Sequence, residues 1–199
     1  MAALPRLFPD ATIVCLASGP SLTAEDVAFC RGKAPVIAVN DTVRLAPWAD
    51  VLYACDAKWW EHHQGVPTFT GLKLGLEHPA HRFGVQILGN AGGEGLALNP
   101  AEVMTGLNSG YQAINVAVHL GAKRIVLLGY DLEARPGHKS HFFGDHPVGL
   151  QKAPGFEQWR ERFATLVTPL QALGVSVVNA SRQTALRCFP RQSLVEALA

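Results

Sequence analysis

Runs of lysine or arginine are missing from this 199-residue sequence, whose 17 basic and 16 acidic residues leave a formal net charge of +1 with the histidines neutral. A duplex-DNA binder must neutralise many phosphates at once, so this balance argues against nucleic acid as the partner. Apolar runs of the roughly eighteen residues a membrane span requires are missing too. The first ten residues carry one Arg and are interrupted by Pro5 and Pro9, which is not the pattern of a secretory signal, and a cytoplasmic protein is expected. Four cysteines, Cys15, Cys30, Cys55 and Cys188, form no C-x-x-C pair and no zinc-type spacing. Neither a P-loop Gly-Lys-Ser/Thr nor a Gly-x-Gly-x-x-Gly is present, and there is no internal repeat or low-complexity segment.

What is present is the composition of a packed globular protein: 48% hydrophobic and 17% charged residues. The length suits one α/β domain over residues 1–199, and the useful signal is short β-branched runs alternating with helical patterns. Thr12 to Ala17, Pro35 to Val39, Val51 to Cys55, Val85 to Leu88, Arg124 to Leu128 and Val175 to Val178 read as strands. Their near-continuous apolar character is that of strands buried on both faces of a parallel sheet. Thr23 opens a first helix, Ala57 to His63 form a short one, and Ser109 caps another that runs to Leu120, with Gln112 as capping-box partner and Gly121 as the stop. Phe156 to Leu173 read as one longer helix whose aromatic stripe is core, and Ser193 to Leu198 as a small terminal one. Between Gly65 and Asn99 irregular structure is expected, with room for an edge strand and a mobile glycine-rich loop at Asn90 to Gly95. The resulting fold class is α/β: a Rossmann-like, mainly parallel sheet with helices on both faces and a His-containing lid loop at about 132–153.

Ligands of open parallel sheets bind beyond the carboxyl ends of the strands, where loops and helix N-termini converge. Polar residues follow the predicted strands repeatedly, as Ser18, Gly19, Pro20 and Ser21, then Asn40, Asp56, Asp131 and Asn179. Asn108, Ser109 and Gly110 precede a helix whose first N–H groups suit a phosphate as well as a cap. In the lid, His141 and His146 with Asp145 offer a general base that exchanges protons near neutral pH. His146, between Asp145 and Pro147, is the favoured one. The same H-x-x-H-x-x-x-D-H run reads alternatively as a metal site or a solvated flap, although it matches no common zinc pattern.

In this order, Ala17-Ser18-Gly19-Pro20-Ser21-Leu22, Ala38-Val39-Asn40, Asn108-Ser109-Gly110 and Leu128-Gly129-Tyr130-Asp131 resemble motifs of two related groups over residues 12 to 131. One is the bacterial sialyltransferases. The other is the family containing archaeal 6-hydroxymethylpterin diphosphokinase and bacterial flagellin-modifying glycosyltransferases, with phage-encoded relatives. The resemblance implies a nucleotide or nucleotide sugar as substrate, with Asn40 and the Gly19-Pro20-Ser21 turn near the nucleotide or phosphate. It also implies that Asn108-Ser109-Gly110 and Asp131 line the same pocket and that a lid histidine deprotonates the acceptor hydroxyl. The chain departs from the sialyltransferases in having no tyrosine after Tyr130 and Asn108 in place of Thr.

Three functions follow as expectations. The leading one is a nucleotide-dependent transferase, most simply a glycosyltransferase without an essential metal, in which Asp56 and Asp131 meet the donor and Arg135 or Lys139 neutralises the departing phosphate. The second is a magnesium-dependent diphosphokinase acting on a small heterocyclic alcohol, with Asp56 and Asp131 on the magnesium and Trp59 stacked on the acceptor. The third is a catalytically silent nucleotide-binding module. Acceptor, donor base and assembly into a homo-oligomer are left open by the sequence.

Overall fold

A computed structural model describes residues 1–133, 140–150 and 155–199; Arg135, His138 and Lys139 lie outside the described residues. Seven parallel strands form the main sheet: β1 (Thr12–Leu16), β2 (Val36–Val39), β3 (Val51–Tyr53), β4 (Leu72–Gly75), β5 (Gln86–Ile87), β8 (Arg124–Leu128) and β9 (Ser176–Asn179), in the order β5-β4-β3-β2-β1-β8-β9. β6 (Gly89–Gly92) and β7 (Glu102–Met104) make a separate two-stranded parallel sheet.

Successive side chains of a strand point to opposite faces, and here both faces are covered. Ile13, Cys15, Ile37 and Tyr53 belong to one apolar cluster, together with α3 (Ser109–His119) and Phe163 of α4 (Phe156–Ala164). Val14, Leu16, Ala38 and Leu52 belong to a second cluster, with Val27 of α1 (Ala24–Cys30) and Trp60 of α2 (Ala57–His62). This is the α/β, Rossmann-like architecture with helices on both faces. Each fully buried large apolar side chain contributes about 1.5–3 kcal/mol. Among the described residues no helix is long and apolar enough to cross a membrane.

The chain lays down β1 to β5 in one direction and then returns to place β8 on the other edge of β1, so the order reverses between β1 and β8. At that point two turns touch through glycines: Gly19 N–H donates to the Gly129 carbonyl at 2.9 Å, and Ala17 N–H to the Leu128 carbonyl at 2.8 Å. Because α3 leads into β8, it runs antiparallel to the strands and delivers its N-terminus to their carboxyl ends.

Several elements differ from the sequence reading for identifiable reasons. The helix expected over 156–173 is two, α4 and α5 (Val167–Ala172), because Pro169 has no N–H for the carbonyl of Thr165, where the break falls. The cap of α3 is Asn108, whose side chain accepts from the N–H groups of Gly110 and Tyr111, so Ser109 is already helical. Gln112 is not its capping-box partner; it accepts from Tyr53 Oη at 2.8 Å and donates to the Thr105 carbonyl at 2.8 Å. The stretch read as a mobile glycine-rich loop holds β6, and Gly95 N–H donates to Thr165 Oγ1 at 3.0 Å. Buried Asn115 fastens this region by accepting from Ala97 N–H at 2.9 Å and Met104 N–H at 3.2 Å.

Candidate functional site

Beyond the carboxyl ends of β1 to β4 lies a cavity of about 530 Å³. Ser18 follows β1, Asn40 follows β2, Asp56 follows β3 and Glu77 follows β4, and all four line it. Asn40 has φ +53°, the left-handed region that asparagine tolerates better than most residues, and so turns the chain sharply out of β2 into a 3-10 turn. Asn108, Ser109 and Gly110, at the start of α3, form another wall. The lid contributes His141, Asp145 and His146, and α4 contributes Phe156 and Trp159.

The cavity thus gathers Ser18, Asn40, Asp56, Asn108, Ser109, Gly110, His141, Asp145 and His146 of the residues singled out from the sequence. Gly19, Pro20, Ser21 and Asp131 are not among its lining residues. Asp131 is 3% exposed, and its two carboxylate oxygens accept from Ser21 N–H at 2.8 Å and Ser21 Oγ at 2.7 Å, which clamps the β1 and β8 turns together. Asn179 is buried and serves its own turn, accepting from Ser181 N–H at 3.0 Å. Asp56 thus lines the cavity, and Asp131 does not. Among the described residues, no group of three or more His, Cys, Asp and Glu side chains is set to hold a metal ion. The Cys15 thiol is buried and pushed up to about 12 by desolvation, which makes it inert.

Asp56 is the N-cap residue of α2, yet its side chain makes no capping bond; Glu77 reaches across from the end of β4 and accepts from Ala57 N–H at 2.7 Å. Glu77, Lys58, Leu107, Phe156 and Trp159 are lining residues that the sequence reading did not single out. The stripe from Phe156 to Phe163 reads as core because a cavity wall and a core face have the same helical period; Phe163 is buried, while Phe156 and Trp159 are only half-buried.

The lid meets the sheet at Ser18. Its Oγ lies 3.1 Å from His141 Nδ1, and its carbonyl accepts from Phe142 N–H at 3.1 Å. The His141 ring stacks on Phe143 with centroids 5.0 Å apart and planes 6° apart, and the His146 ring centroid is 4.4 Å away. Behind them sits Asp41, 4% exposed, which accepts from Trp59 Nε1 at 3.0 Å and lies 3.5 Å from His63 Nε2 and 4.0 Å from Arg44 Nη1. Desolvation, followed by the like-charged His146, lowers the pKa of His141; the Ser18 main chain, Asp41 and Asp145 oppose this. Desolvation is also the first cause of the lowered values of His63, which Asp41 partly offsets, and of His119, which the Glu102 carbonyl partly offsets.

Acid should therefore loosen the fold. All three imidazoles have folded pKa values below the ordinary 6.5, so the unfolded chain binds the protons that the native state refuses. Their stabilising contribution is complete above about pH 6.5 and is lost as pH falls toward the lowered values. The thermal midpoint should drop between about pH 7.5 and about pH 5, and less so in His119→Gln. A midpoint that stays flat across this window would contradict the assignment.

Neither the protein-family models nor the curated proteins compared with this chain give a match.

Proposed function

We propose that the chain is a nucleotide-dependent transferase, most simply a glycosyltransferase that draws on a nucleotide-sugar donor. The observation that supports this reading best is the cavity itself: strand ends, the start of α3, half-buried aromatic rings and two imidazoles share one space of about 530 Å³, enough for a nucleotide-sized ligand. Phe156 and Trp159 offer faces for a base or a sugar ring. Asn40 and Asp56 offer acceptors for hydroxyl groups, and Lys58 and the start of α3 favour negative charge.

In the reaction a lid imidazole removes the proton of the acceptor hydroxyl as its oxygen attacks the anomeric carbon of the donor. The bond from that carbon to the phosphate oxygen breaks, and the nucleotide leaves with the electron pair. The cytoplasmic location expected from the sequence belongs to the same reading.

Isothermal titration with cytidine, uridine and guanosine nucleotides and their sugar conjugates, with and without magnesium, tests it. Saturable binding of at least one series, little changed by removing magnesium, is the expected result. Absence of binding by all of them would overturn the proposal.

A further inference from the structure

We infer that Asp41 is a positioning residue for both the cavity and its lid: one oxygen of its buried carboxylate holds Trp59 in the cavity wall, and the other holds Arg44 against Phe143 of the lid. What this does for turnover rests on the transferase reading. Asp41 sits in the 3-10 turn after β2, directly behind Asn40, which lines the cavity, and is itself 4% exposed. A carboxylate taken that far out of water needs hydrogen bonds and counter-charge. Its two oxygens have different partners. Oδ2 accepts from Trp59 Nε1 at 3.0 Å, whereas Oδ1 lies 3.5 Å from His63 Nε2 and 4.0 Å from Arg44 Nη1.

Each oxygen leads to the ligand space by its own route. Trp59 lines the cavity, and its ring meets Trp60 edge-on at 5.1 Å and His63 at 4.3 Å, so the bond to Asp41 and these two neighbours together set the plane of the indole. On the other side the Arg44 guanidinium lies over the Phe143 ring, 5.6 Å from its centroid, and Phe143 stacks on His141 at 5.0 Å. Arg44 thus stands between a buried carboxylate of the β2 turn and an aromatic ring of the lid. The preceding lid residue is tied to the same end of the sheet, since Phe142 N–H donates to the Ser18 carbonyl at 3.1 Å. A weaker hold on Phe143 therefore registers at that amide.

Amide hydrogen exchange at Phe142 and the indole 1H–15N signal of Trp59 read the two arms in the ligand-free protein. Arg44→Met should speed exchange at Phe142 by roughly 2–5-fold, the loss expected from one exposed cation–π contact, and leave the indole signal in place. Asp41→Asn keeps a carbonyl oxygen for the indole but removes the charge that holds Arg44, so it should reproduce Arg44→Met in both readouts. Combined, the two substitutions should open the lid no further than either alone. Asp41→Ala should release both arms and move the indole signal as well. Unchanged exchange in Arg44→Met or Asp41→Asn, additive effects of the pair, or an indole signal that Asp41→Ala leaves in place would overturn the inference. Should Asp41→Ala fail to fold, the exposed Arg44→Met and the isosteric Asp41→Asn still decide it. None of these readouts needs a nucleotide, so a chain that binds none removes the transferase reading while the two arms of Asp41 are judged on their own.

Discussion

Gly19→Ala should destabilise the protein by about 3–5 kcal/mol, measured as a shift of the urea midpoint at unchanged slope. The cause is space rather than backbone conformation. A Cβ on Gly19 would fall 2.5 Å from the Gly129 carbonyl oxygen and on top of the Asp131 carboxylate. Neither is the yielding end of a flexible side chain: the carbonyl accepts from Gly19 N–H, and the carboxylate is held by Ser21. Relieving the collision must part the β1 and β8 turns and leave the buried Asp131 charge poorly paired, which is the more costly loss. Gly32 supplies the control. It has φ +74° with nothing within 4 Å of an added Cβ, so Gly32→Ala meets conformational strain alone, about 1 kcal/mol. Equal losses at both positions would show that close packing between the two turns does not matter.

That same crevice marks where local sequence reading stops. Strands β1, β2, β3, β8 and β9 are legible because burial on both faces demands an uninterrupted apolar run, and such a run needs no partner to be recognised. β4, reading Leu-Lys-Leu-Gly, has no β-branched residue and is assembled by pairing with β3 on one side and β5 on the other. The small β6–β7 sheet and the loop between its strands are fastened by Asn115, in the middle of α3, through Met104 and Ala97, contacts that a short local window does not reveal.

At the site, polarity at a strand end shows that a turn is there but not which way its side chain faces. Ser18, Asn40 and Asp56 line the cavity, whereas Asp131 and Asn179, equally polar and equally placed, accept hydrogen bonds from other turn residues, Asp131 from Ser21 in the turn after β1 and Asn179 from Ser181 in its own turn. The difference lies in the topology. β1 and β8 are adjacent strands on either side of the reversal, and their loops close on each other through Gly19 and Gly129, so the carboxylate between them becomes a clamp. Glu77 escaped notice for the opposite reason: it follows a strand that was itself not legible, and its capping bond to Ala57 spans 20 residues.

His141→Gln should lower turnover by roughly 10²–10⁴ under saturating donor while nucleotide affinity stays within a few-fold of wild type. Its neighbours should move the pH profile rather than abolish activity, and they should move it in opposite directions. The reaction needs neutral His141, so the rate falls as pH drops through the pKa of that imidazole. His146, whose ring lies 4.4 Å away, lowers this pKa by repulsion, so His146→Gln should raise it and shift the acid limb to higher pH. Asp145 raises the pKa by attraction, so Asp145→Asn should shift the limb to lower pH. If His146 were the base instead, as its place between Asp145 and Pro147 suggests from sequence alone, His146→Gln would produce the large loss and His141→Gln the displaced limb. Wild-type rates in both histidine variants would remove acid–base chemistry from the lid altogether and leave it a structural flap over the cavity.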